Sequence, residues 1–159
     1  MIVLGIDPGI ALTGWGVVCK KEKPELVTFG CIRTAKDKKQ DARLFEIFKA
    51  LQQIIRKYRP DVICLEKIFF NTNAKTVMAV GEARGAIKIC ALINKIAIYE
   101  FTPLQVKDTI VGYGRADKKQ IQEMVKVLLF LKEVPKPDDA ADAIAVALTY
   151  CFFNQNLKG

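Results

Sequence analysis

A chain of 159 residues, of which 51% are hydrophobic and 26% are charged, is long enough for one domain around one hydrophobic core, and we predict a single domain over residues 1–159. No apolar run approaches the ~18–20 residues that span a bilayer, and the start lacks the charged and long apolar regions of a signal peptide, so we expect a cytoplasmic protein with no membrane partner. The net charge of +8 suits a polyanionic partner such as a nucleic acid, and the absence of histidine excludes Ser-His-Asp and Cys-His nucleophiles and imidazole-ligated metals.

The first third of the chain predicts three strands and then a helix. Apolar runs at residues 2–6, 14–19 and 25–32 are each bounded by glycine or charged residues, which indicates an antiparallel meander. Residues 41–58 carry apolar side chains at helical spacing, and Pro60 ends the pattern.

The rest of the chain alternates strands with helices and then ends in helices. We predict strands at residues 61–66 and 96–101, and helices at residues 73–94, 103–111, 117–131 and 139–153. Thr102-Pro103 is a typical helix start, and Asp117 with Gln120 resembles a capping box. The order β-β-β-α-β-α-β-α-α-α predicts an α/β fold with a mixed five-stranded sheet, three antiparallel strands followed by two parallel ones, covered by helices on both faces.

The five cysteines do not indicate a metal site or a disulfide framework. They are widely spaced, odd in number and form no C-x-x-C pair, so we expect reduced thiols.

Three acidic residues stand out because their surroundings are apolar. Asp7 and Glu66 each follow an apolar strand, and Asp142 lies inside the apolar helix segment DAADAIAVAL. Burial of a lone carboxylate costs several kcal/mol, so such groups are usually paired or bound to a cation.

Two more aspartates compete for a role at the start of the last helix. Asp138 follows Pro137 and is a natural N-cap, whereas Asp139, as the first helical residue, would share a helix face with Asp142. Capping and a favourable interaction with the helix dipole account for either residue, so the pattern alone does not separate Asp138 from Asp139.

Strand-end and helix acids of this kind can converge at one edge of a sheet. Like charges at close range repel one another, and divalent cations remove that penalty. Because the chain has no histidine, carboxylates must supply the ligands, which suits Mg²⁺ or Mn²⁺. Two such ions about 4 Å apart can activate a water molecule and stabilise the leaving oxygen of a phosphodiester. Separate surface acids at element ends are the alternative interpretation.

Aromatic and basic residues follow Glu66 directly. Phe69 and Phe70 lie in a predicted loop between Lys67 and Lys75, where an exposed ring could stack on a base for ~1–3 kcal/mol. One of the two rings is expected to belong to the core, and the sequence leaves open which one is exposed.

A second basic group surrounds the GYG segment at residues 112–114. It consists of Lys107, Arg115, Lys118 and Lys119. Lys118 and Lys119 lie at a predicted helix start, where backbone N–H groups also favour phosphate, and a solvated basic face is the alternative.

The predicted helix at residues 73–94 has an unusual row of small residues. Gly81 and Gly85 are four residues apart and permit close approach of another helix or of the sheet. Either a subunit interface or packing against the sheet would explain them.

Several motifs in order carry a resemblance to a known family. GIDPG, TGWGVV, GCIRT, LEKIFF, GEARG, the QVK and VGYG segments with the lysines that follow, and DAADAIAVA resemble the RuvC family of Holliday-junction resolvases over nearly the whole chain.

The resemblance implies a ribonuclease H-like fold and a homodimer that resolves four-way DNA junctions by paired, Mg²⁺-dependent nicks in recombination and repair, with Mn²⁺ as an expected substitute. It implies that the catalytic acids and metal ligands are Asp7, Glu66, Asp139 and Asp142, and that Asp138 is not one of them. It also implies functional lysines at Lys107 and Lys118, a stacking aromatic at Phe69, dimerisation around GEARG, and the branch-migration proteins RuvA and RuvB as partners. Lys119 beside Lys118 leaves open which of the two contacts phosphate.

Other classes explain part of the pattern. A ribonuclease H-like nuclease of the YqgF type, acting on RNA, also begins with a glycine, aspartate and glycine around its first strand. An actin-like ATPase shares that start but needs two large lobes, and a non-catalytic junction-binding module would have no use for four acids that repel phosphate.

Overall fold

The computed structural model describes residues 1–67 and 74–153, without the side chains of residues 74–76. Its elements follow the predicted order: β1 (Ile2–Asp7), β2 (Leu12–Cys19), β3 (Glu25–Arg33), α1 (Gln40–Tyr58), β4 (Val62–Glu66), α2 (Ala74–Ile93), β5 (Ala97–Phe101), α3 (Pro103–Val111), α4 (Lys118–Leu128) and α5 (Asp138–Phe153).

The strands form one mixed sheet in the order β3-β2-β1-β4-β5. β1 pairs antiparallel with β2, and β2 with β3, whereas β1 with β4 and β4 with β5 are parallel. The predicted fold class is therefore confirmed.

Two apolar cores lie on opposite faces of the sheet. One contains Val3 and Val18 from the strands together with Val125 of α4 and Ile144 of α5. The other contains side chains of the same strands that point the other way, such as Leu4, together with residues of α1 and α2. β1 contributes side chains to both cores, because successive side chains of a strand point to opposite faces of the sheet.

Two helix ends differ from the prediction. α4 ends at Leu128, three residues early, and Phe130 has a φ of 53°, a left-handed conformation that stops the helix. α5 begins at Asp138, which was predicted to be the N-cap but is the first helical residue. The predicted starts of α3 and α4 are confirmed, since Thr102 and Asp117 both form capping boxes.

Three glycines let α5 lie directly on β1 and β2. A β-carbon added to Gly5 would lie 2.0 Å from the Ala143 carbonyl oxygen, and one added to Gly16 would lie 2.5 Å from the Ile144 side chain. Gly14 is equally crowded by the backbone of Asp139. Since Gly5 pairs with Gly16 across the ladder, the sheet has a shallow groove into which the helix fits.

All five cysteines are free, as predicted. Among the described residues, no helix combines the length and the apolar character that crossing a bilayer requires.

Candidate active site

Two of the predicted acids lie side by side because their strands are parallel neighbours. Asp7 is the last residue of β1 and Glu66 is the last residue of β4. Ile6 pairs with Leu65 in the ladder, so the following residue of each strand emerges at the same edge of the sheet. The position of each acid after an apolar strand allowed this convergence, with separate surface acids as the alternative, and the parallel pairing of β1 with β4 brings the two ends together.

The start of α5 brings two further acids to the same edge. Gly14 is the ladder partner of Asp7, and a β-carbon on Gly14 would lie 2.0 Å from the carbonyl oxygen of Asp139. The first turn of α5 is therefore fixed beside Asp7, and Asp142 follows one turn later on the same helix.

The electrostatics of Asp7 reflect this crowding. Burial, reinforced by the charges of Asp142, Asp139 and Glu66, raises the pKa of Asp7 from 3.8 to about 7. Burial and the charge of Asp142 also raise the pKa of Glu66. Four acids thus interact at one edge of the sheet, and their mutual repulsion opposes ionisation.

Lys118 is the cation that lies closest to this group in the described structure. Its Nζ atom lies 2.9 Å from Asp142 Oδ2 and 3.5 Å from Asp138 Oδ2. Burial raises the pKa of Asp142, and the hydrogen bond and charge of Lys118 oppose that rise. Asp138, which lies outside the family motif, therefore shares Lys118 with Asp142, and its side chain is 62% exposed.

Predicted acids and predicted lysines line one small cavity. It has a volume of about 200 Å³, and its polar lining consists of Glu66, Lys107, Lys118 and Asp142. The charge of Lys107 lowers the pKa of Glu66, against the effect of burial. Both predicted lysines thus face the predicted acids, which is the placement that a bound phosphate between them would require.

The donor set fits a hard divalent cation, although the side chains are not arranged around one. Within residues 1–67 and 74–153, no three Cys, Asp or Glu side chains are close enough together to enclose a metal ion. The available donors are carboxylate oxygens, which Mg²⁺ prefers, and the ammonium group of Lys118 already lies between two of the aspartates as a cation would. The raised pKa values show that the site gains from positive charge.

The remaining predicted DNA-binding residues are either exposed or outside the described part of the chain. Lys67, Arg115 and Lys119 are exposed. Phe69, Phe70 and the side chain of Lys75 lie outside the described residues. Lys118 and not its neighbour Lys119 contacts the acids, which bears on the alternative left open by the sequence.

One residue of this site was not predicted from the sequence. Arg84 of α2 is 8% exposed and donates hydrogen bonds to the backbone oxygen of Glu66 and to the carboxylate of Glu100. A signal was present, since an arginine stands among the small residues of GEARG in a helix with a largely apolar composition.

Fold and site together define a class of protein. A mixed β3-β2-β1-β4-β5 sheet covered on both faces, with acids at the ends of its two central parallel strands, is a ribonuclease H-like arrangement. A family model described as "Crossover junction endodeoxyribonuclease RuvC" matches residues 3–150, so the chain belongs to the RuvC family.

Individual relatives agree with this assignment. A crossover junction endodeoxyribonuclease RuvC from Caldanaerobacter subterraneus subsp. tengcongensis is 50% identical over 159 residues, which cover 99% of this chain and 96% of the relative. The structure of Thermus thermophilus RuvC superposes with a TM-score of 0.92 at 33% identity, covering 98% of this chain and 96% of the other. A second T. thermophilus RuvC structure, in complex with Holliday junction substrate, superposes with a TM-score of 0.90 at 31% identity, again over 98% and 96% of the two chains.

Proposed function

We propose that this chain is a divalent-metal-dependent endonuclease that resolves four-way DNA junctions by paired, symmetric nicks. The observation that carries the proposal is the convergence of Asp7, Glu66, Asp139 and Asp142 at one edge of the sheet, with Lys107 and Lys118 facing them. Support for the substrate comes from the relatives, which are crossover junction endodeoxyribonucleases, and from the T. thermophilus protein in complex with Holliday junction substrate.

In this proposal the four acids hold one or two Mg²⁺ ions, for which Mn²⁺ can substitute. When bound, the metal supplies Lewis-acid activation of water and of the scissile phosphate. Asp7 and Glu66, at the ends of the two central strands, would hold the metal, which in turn would attract the phosphate that the carboxylates alone repel. Hydrolysis forms a bond from a water oxygen to phosphorus and breaks the bond to the 3′ oxygen, which leaves 5′-phosphate and 3′-hydroxyl ends.

In the same proposal, Lys107 and Lys118 bind the phosphate, whereas the acids bind the metal. Lys118 would leave Asp138 and Asp142 for phosphate oxygens when DNA enters, since a metal held by the four acids would take over the neutralisation of Asp142. Lys107 lines the same cavity. Both ammonium groups stabilise the negative charge that develops on the phosphate during hydrolysis.

A homodimer is part of the proposal, since symmetric nicks on two strands require two sites. α2 offers a surface that suits a second copy. Its exposed side includes Met78, Ile89 and Leu92, and β-carbons on Gly81 and Gly85 would contact nothing within 4 Å. Small residues between exposed apolar ones allow two helices to pack closely.

The basic surface residues extend the same proposal to the DNA arms. Lys67, Lys75, Arg115 and Lys119 bind phosphates, and Phe69 or Phe70 stacks on a base near the exchange point. Interaction with RuvA and RuvB, and a location in the cytoplasm, are further predictions of the family resemblance.

Cleavage of a synthetic four-way junction, with and without Mg²⁺, is the decisive experiment. We expect two symmetric nicks only in the presence of the metal, and much weaker cleavage of a linear duplex of the same sequence. A single-stranded and a duplex RNA serve as further substrates, because efficient cleavage of RNA with an intact junction would identify a YqgF-type nuclease instead.

A further inference from the structure

Arg84 makes a buried bridge between three elements. It belongs to α2, is 8% exposed, and donates from Nη1 to the backbone oxygen of Glu66 at the end of β4. From Nη2 it donates to the carboxylate of Glu100 in β5. The planar guanidinium group can make both contacts at once. A lysine side chain is shorter and its ammonium group has no fork of donors, so it cannot make both contacts with the same geometry.

The backbone oxygen of Glu66 needs such a donor because the ladder ends there. The neighbouring strand β5 ends at Phe101, whose carbonyl oxygen accepts from the Lys67 N–H at 2.7 Å. On the β1 side, the last paired residues are Ile6 and Leu65. A buried carbonyl without a donor costs free energy, and Arg84 supplies a donor to the Glu66 carbonyl beyond the last paired residues of β1 and β4.

Glu100 holds Arg84 in that position. Its carboxylate is only 29% exposed and interacts with Arg84, which leaves the guanidinium with a fixed orientation towards β4. Lys88, one helical turn further along α2, contacts the same carboxylate at 3.0 Å but is 39% exposed. Lys88 therefore shares the partner of Arg84 without reaching Glu66.

We propose that Arg84 is a positioning residue that fixes the main chain of Glu66, and through it the Glu66 carboxylate, in the geometry that divalent-metal binding requires. This inference rests on the proposed function, since it assumes that Glu66 is a metal ligand. Groups that orient a ligand commonly change metal affinity by 10–100-fold when they are removed.

The test compares Arg84→Lys with Lys88→Gln in the full-length protein. Arg84→Lys keeps the positive charge beside Glu100 but loses the forked guanidinium group that contacts Glu66 and Glu100 at once, whereas Lys88→Gln removes a charge beside Glu100 and leaves the contact of Arg84 with Glu66 intact. Mn²⁺ affinity is measured by electron paramagnetic resonance on the protein without DNA, and the Mn²⁺ concentration for half-maximal junction cleavage is measured separately. We expect Arg84→Lys to weaken Mn²⁺ affinity at least about tenfold and to raise the half-maximal concentration in parallel, with Lys88→Gln close to wild type in both.

Junction affinity in the absence of metal and the thermal unfolding temperature separate positioning from a general structural effect. Positioning predicts that metal-free junction affinity stays within about twofold of wild type, and that excess Mn²⁺ restores much of the cleavage rate of Arg84→Lys. If Arg84→Lys does not fold, Glu100→Gln replaces it: the variant keeps an acceptor for Arg84 and removes the ion pair, and we expect a smaller loss of Mn²⁺ affinity in the same direction.

Three results would overturn the inference. The first is an Arg84→Lys variant, or in its place a Glu100→Gln variant, with wild-type Mn²⁺ affinity. The second is an equal loss in Arg84→Lys and Lys88→Gln, which would assign the effect to the contacts that both residues make with Glu100 and not to the contact of Arg84 with Glu66. The third is a wild-type protein that neither binds Mn²⁺ nor cuts a junction, which would reject the proposed function as well, whereas the first two leave it intact.

Discussion

Asp7 combines two properties that both oppose its ionisation. It is half-buried at the end of the central strand β1, and this burial, together with the charges of three other acids, raises its pKa to about 7. Neither burial nor repulsion favours a carboxylate, so this arrangement costs stability in the free protein. A cluster of this kind is typical of a site where a bound cation offsets that cost.

Replacement of Asp7 by asparagine separates cleavage from binding. We expect Asp7→Asn to reduce junction cleavage by a factor of at least about 10³, because the isosteric amide is a poor ligand for a hard cation and several kcal/mol of transition-state stabilisation are lost. Junction affinity should be unchanged or higher, since one negative charge near the phosphate is removed. Cleavage and electrophoretic mobility assays measure both, with Asp37→Asn, an exposed acid of the β3–α1 loop, as the control; full activity of Asp7→Asn would exclude its proposed role.

The raised pKa of Asp7 also predicts how stability depends on pH. The pKa is near 3.8 in the unfolded chain and about 7 in the folded, metal-free protein, so the folded state binds the proton more tightly. This contribution to stability is complete below about pH 4 and is lost as the pH rises through 7. Between pH 5 and pH 8 it amounts to at most about 3 kcal/mol, since one pKa unit corresponds to ~1.4 kcal/mol.

Urea unfolding in EDTA at pH 5 and pH 8 measures this effect. Relative to wild type, Asp7→Asn should gain stability at pH 8 and little at pH 5, and Mg²⁺ should stabilise the wild-type protein at pH 8 more than the variant. An identical pH dependence of the two proteins would mean that Asp7 has an ordinary pKa and that the four acids do not interact.

The two adjacent lysines at the start of α4 form a matched pair. Both side chains are exposed, but Lys118 contacts Asp138 and Asp142, whereas Lys119 makes no ion pair with any acid of the described residues. We expect Lys118→Met to lower kcat for junction cleavage by about 10²-fold and Lys119→Met to weaken junction binding modestly with kcat unchanged. Single-turnover cleavage with saturating enzyme distinguishes the two, and the reverse ranking would assign the phosphate contact to Lys119.

At the scale of elements, the position of α5 decides whether the acids meet. β1 and β4 place two of them by register alone, but Asp139 and Asp142 depend on a helix that lies in a groove made by Gly5, Gly14 and Gly16. The backbone of α5 is so close to the sheet that a methyl group at Gly5 or Gly14 would overlap main-chain atoms, which cannot move without the whole helix.

A graded pair of substitutions tests this dependence. Gly14→Ala places its β-carbon against the Asp139 backbone, whereas Gly16→Ala meets first the Ile144 side chain, which can change rotamer. We expect Gly14→Ala to lower the free energy of unfolding by about 3 kcal/mol or more, and Gly16→Ala to lower it by less. The cleavage rate of Gly14→Ala should fall by more than the smaller fraction of folded protein accounts for. Equal effects in urea unfolding and cleavage assays would show that the contact with Asp139 has no special importance.

The helices, the strands and the acids could be predicted because each leaves a pattern along the chain. Contacts between residues that are distant in the sequence leave no such pattern. Alternating apolar residues identify strands, and apolar residues at helical spacing identify helices. An acid at the end of an apolar strand can also be recognised from the sequence alone, as Asp7 and Glu66 show. The pattern could not separate Asp138 from Asp139, because both lie at a helix start where acids are favourable. Nor could it identify Arg84, since its two partners come from β4 and β5 and meet it only in the folded sheet.

At the scale of the whole molecule, α2 faces two ways. One side packs on the sheet and holds Glu66 through Arg84, and the other exposes a stripe of apolar and small residues. The exposed fractions are 69% for Met78, 56% for Ile89 and 67% for Leu92. An apolar stripe of this length on a helix is unusual for a surface that faces only water, so a second copy of the chain is the proposed partner.

A charge within this stripe should separate the two copies. Leu92→Glu would bury an unpaired carboxylate in the interface, and we expect sedimentation equilibrium to change from dimer to monomer at micromolar concentration. Phe130→Glu is the control, because Phe130 is 80% exposed but lies beyond the end of α4, away from α2. The monomeric variant should keep its thermal stability and lose the paired nicks on a four-way junction, because each nick needs its own site. If Leu92→Glu remains dimeric while Phe130→Glu dissociates, the copies meet through α4, and the small residues of α2 serve another purpose.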